Sequence, residues 1–114
     1  MITIYHNNRC SKSRCALEIL EKSGKEYKII NYLETVPNQS DLKALLKMLD
    51  IKPIDLVRKG ESIWKEKFKG KTLTNTQVID AMISYPKLIE RPIIVKNDKA
   101  VIGRPPELII DLIN

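Results

Sequence analysis

The chain is poor in the residues that mark several large functional classes. Aromatics make up 5% of its 114 residues, there is one histidine, and there are only two cysteines. No apolar run approaches the roughly 20 residues of a membrane span, and no basic segment followed by an apolar stretch opens the chain. A cytoplasmic protein without a membrane partner is therefore expected. Repeats, low-complexity tracts and linkers are also missing, so residues 1–114 are read as a single domain with one core. One histidine and two cysteines five apart match no structural zinc spacing, and no metal site is expected. A thioredoxin-type dithiol is excluded, because the segment reads Cys10-Ser11-Lys12-Ser13. A phosphatase-type loop would need arginine at position 16, which is Ala16.

What is present is a basic, otherwise ordinary globular composition: 43% hydrophobic, 30% charged, net charge +6. The 15 lysines are scattered and accompany no nucleic-acid motif, so they read as a solvated surface and no nucleic-acid partner is expected. The five arginines, Arg9, Arg14, Arg58, Arg91 and Arg104, are placed differently, each at a loop or element boundary and two directly before proline. Planar guanidiniums kept for junctions can build a bidentate oxyanion clamp, the alternative being that Arg58 and Arg91 form ordinary ion pairs.

The densest chemistry lies at His6-x3-Cys10-x3-Arg14. Ile2 to Tyr5 are β-branched or aromatic and predict a strand, and Ser11 to Lys22 predicts a helix, so Cys10 falls at a strand-to-helix junction. The unpaired N–H groups and positive dipole end of a helix favour a thiolate there, and Arg14 and His6 add cationic or donor character. On the plainer reading Cys10 is a small buried residue and His6 a satisfied strand-end polar group.

Gly24 ends the first helix, and Tyr27 to Leu33 predicts a second strand parallel to the first. Ser40 is placed to cap a helix carrying Leu42, Leu45, Leu46 and Leu49 on one face. Pro53 opens a short turn, and Trp64 and Phe68 anchor another short helix. Thr74 to Gln77 fits a capping box before Val78, Ile79, Met82 and Ile83, a helix that stops at Pro86. Pro92 to Val95 and Lys99 to Ile102 form a hairpin about Asn97-Asp98, and Pro105 or Pro106 starts a final helix. This order predicts an α/β thioredoxin-like fold with a helical insertion, built on a mixed four-stranded sheet flanked by helices.

Five segments then resemble one family over nearly the whole chain. Ile4-Tyr5-His6-Asn7 with Cys10 and Arg14, Tyr32-Leu33-Glu34-Thr35, Val57-Arg58-Lys59, Arg91-Pro92-Ile93-Ile94-Val95 and Gly103-Arg104-Pro105 are similar to the ArsC-type arsenate reductases coupled to glutathione and glutaredoxin. The resemblance implies that Cys10 is the nucleophile, that His6 and Arg14 help stabilise its thiolate, and that Arg58, Arg91 and Arg104 hold the oxyanion. Pro92 would be a cis-proline facing the cysteine, with Ser13 in a supporting place. Arsenate would be reduced to arsenite through a Cys10 thiol-arsenate adduct, glutathione being the co-substrate and glutaredoxin the resolving partner, with no bound cofactor. The rival reading is a regulator of the Spx type, which shares the fold and binds RNA polymerase. Such regulators typically carry a Cys-x2-Cys switch and lack a counterpart of Arg104-Pro105, whereas here Ser13 stands at the second switch position. A glutathione-dependent reductase acting on another substrate is the third reading.

Cys15 is expected to play no part in turnover. Five residues along one regular helix would put its Cα about 8–9 Å from that of Cys10, beyond the roughly 7 Å a disulfide spans. It is read instead as a small apolar residue packed beside Ala16 and Leu17.

Overall fold

A computed structural model describes residues 2–114. In chain order the elements are β1 (Ile2–His6), α1 (Ser11–Ser23), β2 (Tyr27–Asn31), α2 (Gln39–Leu49), α3 (Ser62–Lys67), α4 (Asn75–Ser84), β3 (Ile93–Lys96), β4 (Lys99–Ile102) and α5 (Glu107–Ile113). Two 3-10 turns, Pro53–Leu56 and Pro86–Leu88, lie in the middle of the chain. The backbone forms two compact units, one made of the residues up to Thr35 with Arg91–Asn114, the other of Val36–Glu90.

The first unit contains the sheet, in the order β2-β1-β3-β4. β1 runs parallel to β2, from Ile2 opposite Tyr27 to His6 opposite Asn31, and antiparallel to β3, with Ile4 opposite Ile94. β3 and β4 form the expected hairpin, in which Asn97 takes the positive φ of 58° that the turn needs. This is the mixed thioredoxin-like sheet expected from the element order. Strand alternation turns Ile2 and Ile4 to one side, where Ala16 and Leu20 of α1, Ile94 of β3 and Ile109 and Ile113 of α5 close a buried cluster. Each such isoleucine or leucine contributes on the order of 1.5–3 kcal/mol by leaving water.

Three local expectations need correction. β2 ends at Asn31, not Leu33, because the Asn31 carbonyl accepts from the backbone N–H groups of Glu34 and Thr35 at 3.1 and 2.8 Å and turns the chain. The cap of α2 is Asn38, not Ser40: the Asn38 side chain accepts from the Asp41 N–H at 2.8 Å, while the Asp41 carboxylate accepts from the Asn38 N–H at 3.2 Å. Cys15 is exposed, because Ser13, Ala16 and Leu20 define the buried face of α1 and a residue directly before Ala16 is turned about 100° from it.

In the helical unit, Leu42, Leu45 and Leu46 are buried as expected, and Leu49 is half-buried. Trp64 is buried and stacks on Phe68 with ring centroids 5.3 Å apart. Thr74 and Gln77 form the expected capping box of α4, whose Val78, Ile79, Ala81 and Met82 are buried. A bridge between Val57 and Ile89, flanked by the Arg58 N–H donating to the Leu88 carbonyl at 2.7 Å, ties the middle of this unit to its C-terminal end.

Candidate active site

The site is assembled in the sheet unit, around the loop from β1 to α1. Cys10 is the N-cap residue of α1, with extended backbone (φ −99°, ψ 120°), and its N–H donates to the Asn7 carbonyl at 3.0 Å. An extended N-cap turns the cysteine side chain over the first helical turn, where backbone N–H groups lack intrahelical partners. Ser11-Lys12-Ser13-Arg14 places no carboxylate in that turn to compete with an anion.

Four donors meet the sulfur. The backbone N–H groups of Ser13 and Lys12 and the side chain of Arg91 draw its pKa down, without the N–H groups closing a cap hydrogen bond to it, and Arg104 Nη2 lies 3.6 Å from Sγ. Burial works against the charged form, since Cys10 is only 9% exposed. The Ser13 N–H, the Arg91 hydrogen bond, the Lys12 N–H and the Arg91 charge together outweigh burial, and the thiol pKa lies below its ordinary value. The charged partners of the thiolate thus come from residues some eighty and ninety positions away in sequence, Arg91 and Arg104. Arg104 Nε also donates to the Arg91 carbonyl at 2.8 Å, which fixes the two arginines to each other.

His6 and Arg14 stand one step back. His6 is 2% exposed, with Nδ1 2.6 Å from Ser13 Oγ and Nε2 2.6 Å from Asn8 Oδ1. Asn8 Oδ1 can only accept, which assigns a proton to His6 Nε2, and in that tautomer Ser13 Oγ, which accepts the Asn7 N–H at 3.0 Å, gives its own proton to Nδ1. Asn7 Oδ1 in turn accepts the Arg9 N–H at 3.0 Å, and Arg14 Nη1 donates to the Asn8 carbonyl at 2.8 Å. Every turn of the loop from Asn7 to Cys10 is therefore held from His6, Ser13, Asn7 or Arg14.

The Arg91–Pro92 bond is cis, as the resemblance implied, and Arg104–Pro105 is cis as well. Gly103 precedes Arg104 for a steric reason: a Cβ there would stand 2.7 Å from Ile109 Cδ1 and 3.0 Å from Pro92 Cγ. Its N–H donates to the Pro92 carbonyl at 2.9 Å, so the absence of a side chain lets the two arginine-proline segments run close together. Arg58 belongs to the helical unit, where it pairs with Glu61 at 3.2 Å and Glu90 at 3.5 Å. Among the described residues, no group of three or more His, Cys, Asp or Glu side chains could hold a metal ion, and no helix is long and apolar enough to cross a membrane.

Spacing alone did not single out Tyr32. It is fully buried directly after β2, close enough to Asn7, Arg91 and Cys10 to feel their dipoles and charges. Burial dominates and raises the phenol pKa, against the lowering pull of Arg91 and Asn7. Among the described residues the hydroxyl nevertheless completes a hydrogen bond of good geometry with no group. The sequence signals were a polar-tipped aromatic in a strand-end segment and its place at the head of the Tyr32-Leu33-Glu34-Thr35 segment of resemblance, neither of which gave it a role.

Known proteins match this arrangement over nearly its full length. An uncharacterised protein of Escherichia coli K12 is 43% identical over 98% of this chain and 96% of its own length. An arsenate reductase of Neisseria meningitidis is 39% identical, covering 93% of this chain and 92% of its own. The solved structure of an arsenate reductase from Vibrio cholerae superposes with a TM-score of 0.92 at 42% identity, covering 97% of this chain and 96% of that one. The family model described as the ArsC family matches residues 5–112, and the chain belongs to the ArsC family.

Proposed function

We propose that the protein is an arsenate reductase whose nucleophile is Cys10. The observation that carries this reading is the single partly enclosed thiol on which two backbone N–H groups and the guanidiniums of Arg91 and Arg104 converge. Such a site is suited to an anionic electrophile: the thiolate attacks arsenic, a sulfur–arsenic bond forms, and one arsenate oxygen leaves as water. The arginines balance the charge of the remaining oxygens during the attack. Glutathione then attacks the adduct. Arsenic takes up two electrons and leaves as arsenite, the two sulfurs join as a mixed disulfide, and glutaredoxin removes the glutathione from Cys10. Relatives named arsenate reductase, at 37–39% identity over most of the chain, support the substrate class. His6, Ser13 and Arg14 hold the loop, Pro92 sets the path of the Arg91 segment, and Arg58 joins the oxyanion clamp by family resemblance.

The Spx-type reading loses ground on one feature. Ser13, at the second switch position, is buried and engaged with His6 and Asn7, and offers no thiol. Arsenite formation from arsenate with glutathione and glutaredoxin tests the proposal, with Cys10→Ser as the inactive control and thioredoxin in place of glutaredoxin to test the coupling. Absence of arsenite, together with binding of the chain to RNA polymerase, would favour the regulator.

A further inference from the structure

The Tyr32 hydroxyl is buried, the side chains of Asn7 and Arg91 act on its oxygen as donors, and among the described residues it completes no hydrogen bond of good geometry. Natural structures satisfy the great majority of such groups, and an orphan beside a reactive residue calls for a partner that arrives later. Its neighbours explain why the free protein does not supply one. Arg91 has only donors, so it can give a proton to the phenol oxygen but accept none. Asn7 Oδ1 receives the Arg9 N–H at 3.0 Å and makes no hydrogen bond to the phenol. The sulfur of Cys10 is engaged by Ser13, Lys12, Arg91 and Arg104. What the Tyr32 proton lacks is an acceptor, and an oxyanion seated on Arg91 is rich in acceptors.

We infer that Tyr32 is a further substrate-binding residue of the site, its hydroxyl donating to an oxygen of the anion held by Arg91 beside Cys10. The inference rests on the oxyanion reading above and adds a neutral donor to it. Because burial raises the phenol pKa, the group keeps its proton next to the thiolate and remains a donor at neutral pH.

Tyr32→Phe tests this through protection of the Cys10 thiol. The probe is arsenate, and the readout is the rate of Cys10 alkylation by iodoacetamide as arsenate is added. The wild-type thiol is expected to be protected. In Tyr32→Phe the half-protecting arsenate concentration should rise on the order of tenfold or more, as for a lost hydrogen bond to a charged group. The alkylation rate without arsenate should stay within about twofold, and the Tm should be equal or higher, since an unsatisfied buried hydroxyl has been removed. A Tm drop with an unchanged protection curve would mark Tyr32 as structural and overturn the inference. No protection of the wild-type thiol at any arsenate concentration would overturn the oxyanion reading and this inference with it. If the variant does not fold, wild-type protein labelled with 3-fluorotyrosine decides: the Tyr32 resonance should shift as arsenate is added, and an unmoved resonance contradicts the assignment.

Discussion

The chemistry of Cys10 is set by four atoms that the sequence places in three separate segments. The local half was legible. A cysteine at a strand-to-helix junction with no acidic residue in the following turn already pointed to helix N–H groups as thiolate partners, and those of Ser13 and Lys12 fill that role. The distant half was legible only as boundary arginines, because spacing along the chain cannot say which guanidinium meets which sulfur. Arg91 and Arg104 reach Cys10, while Arg14, four residues away, bonds to the Asn8 carbonyl. Alanine at Arg91 or Arg104 should therefore weaken turnover of the oxyanion by about 1.5–3 kcal/mol each, the worth of a charge-assisted hydrogen bond, seen as a fall in kcat/KM. Normal kcat/KM in Arg91→Ala would remove Arg91 from the clamp. The exposed position of Cys15 sharpens a second expectation. Cys15→Ser should retain glutathione-dependent turnover and Cys10→Ser should lose it. A Cys10–Cys15 disulfide found by mass spectrometry, with Cys15→Ser folded but inactive, would instead require a two-thiol mechanism.

At the scale of elements, the hydrophobic patterns and proline breaks located nearly every helix and strand, and the misplacements share one cause. The start of α2 and the end of β2 are decided by which polar group captures a particular N–H, and sequence offered competing candidates for each. Ser40 and Asn38 are both good caps. Asn38 prevails because Asp41, three residues on, returns a hydrogen bond to it. Gly103 was legible as part of an arginine-proline segment but not as a packing requirement, since its neighbours Pro92 and Ile109 come from elsewhere in the chain. Gly103→Ala should destabilise the protein by about 1–3 kcal/mol, as overpacking does, measured by denaturant unfolding. It should also slow Cys10 alkylation, because Arg104 is carried by the displaced backbone. Wild-type stability in Gly103→Ala would show that the Ile109 side chain yields without cost.

For the whole molecule, the order of elements was enough to foresee the mixed sheet, because a βαβ start and a late hairpin leave few ways to arrange four strands. Less visible was the division of the backbone into a sheet unit and a helical unit, since no linker or change in composition marks Thr35 or Arg91. The thiolate also couples to the stability of the entire fold. With its pKa lower in the folded than in the unfolded chain, Cys10 binds its proton more readily unfolded, so its ionisation stabilises the fold at high pH. That contribution is complete above the unfolded value of about 8.5 and is lost as pH falls through the lower folded value. The stability of wild type relative to Cys10→Ser should accordingly increase from acid to alkaline pH in denaturant titrations. A difference independent of pH would mean that the thiol ionises equally in both states.

The most direct measurement is the thiolate absorbance of Cys10 against pH, taken as the difference between wild type and Cys10→Ser and repeated in Arg91→Ala. The expected midpoint for wild type lies below the roughly 8.5 of a free cysteine, and it should move upward when the Arg91 guanidinium is removed. A wild-type midpoint at or above about 8.5, or one that Arg91→Ala leaves in place, would contradict an anion-stabilising site built around Cys10.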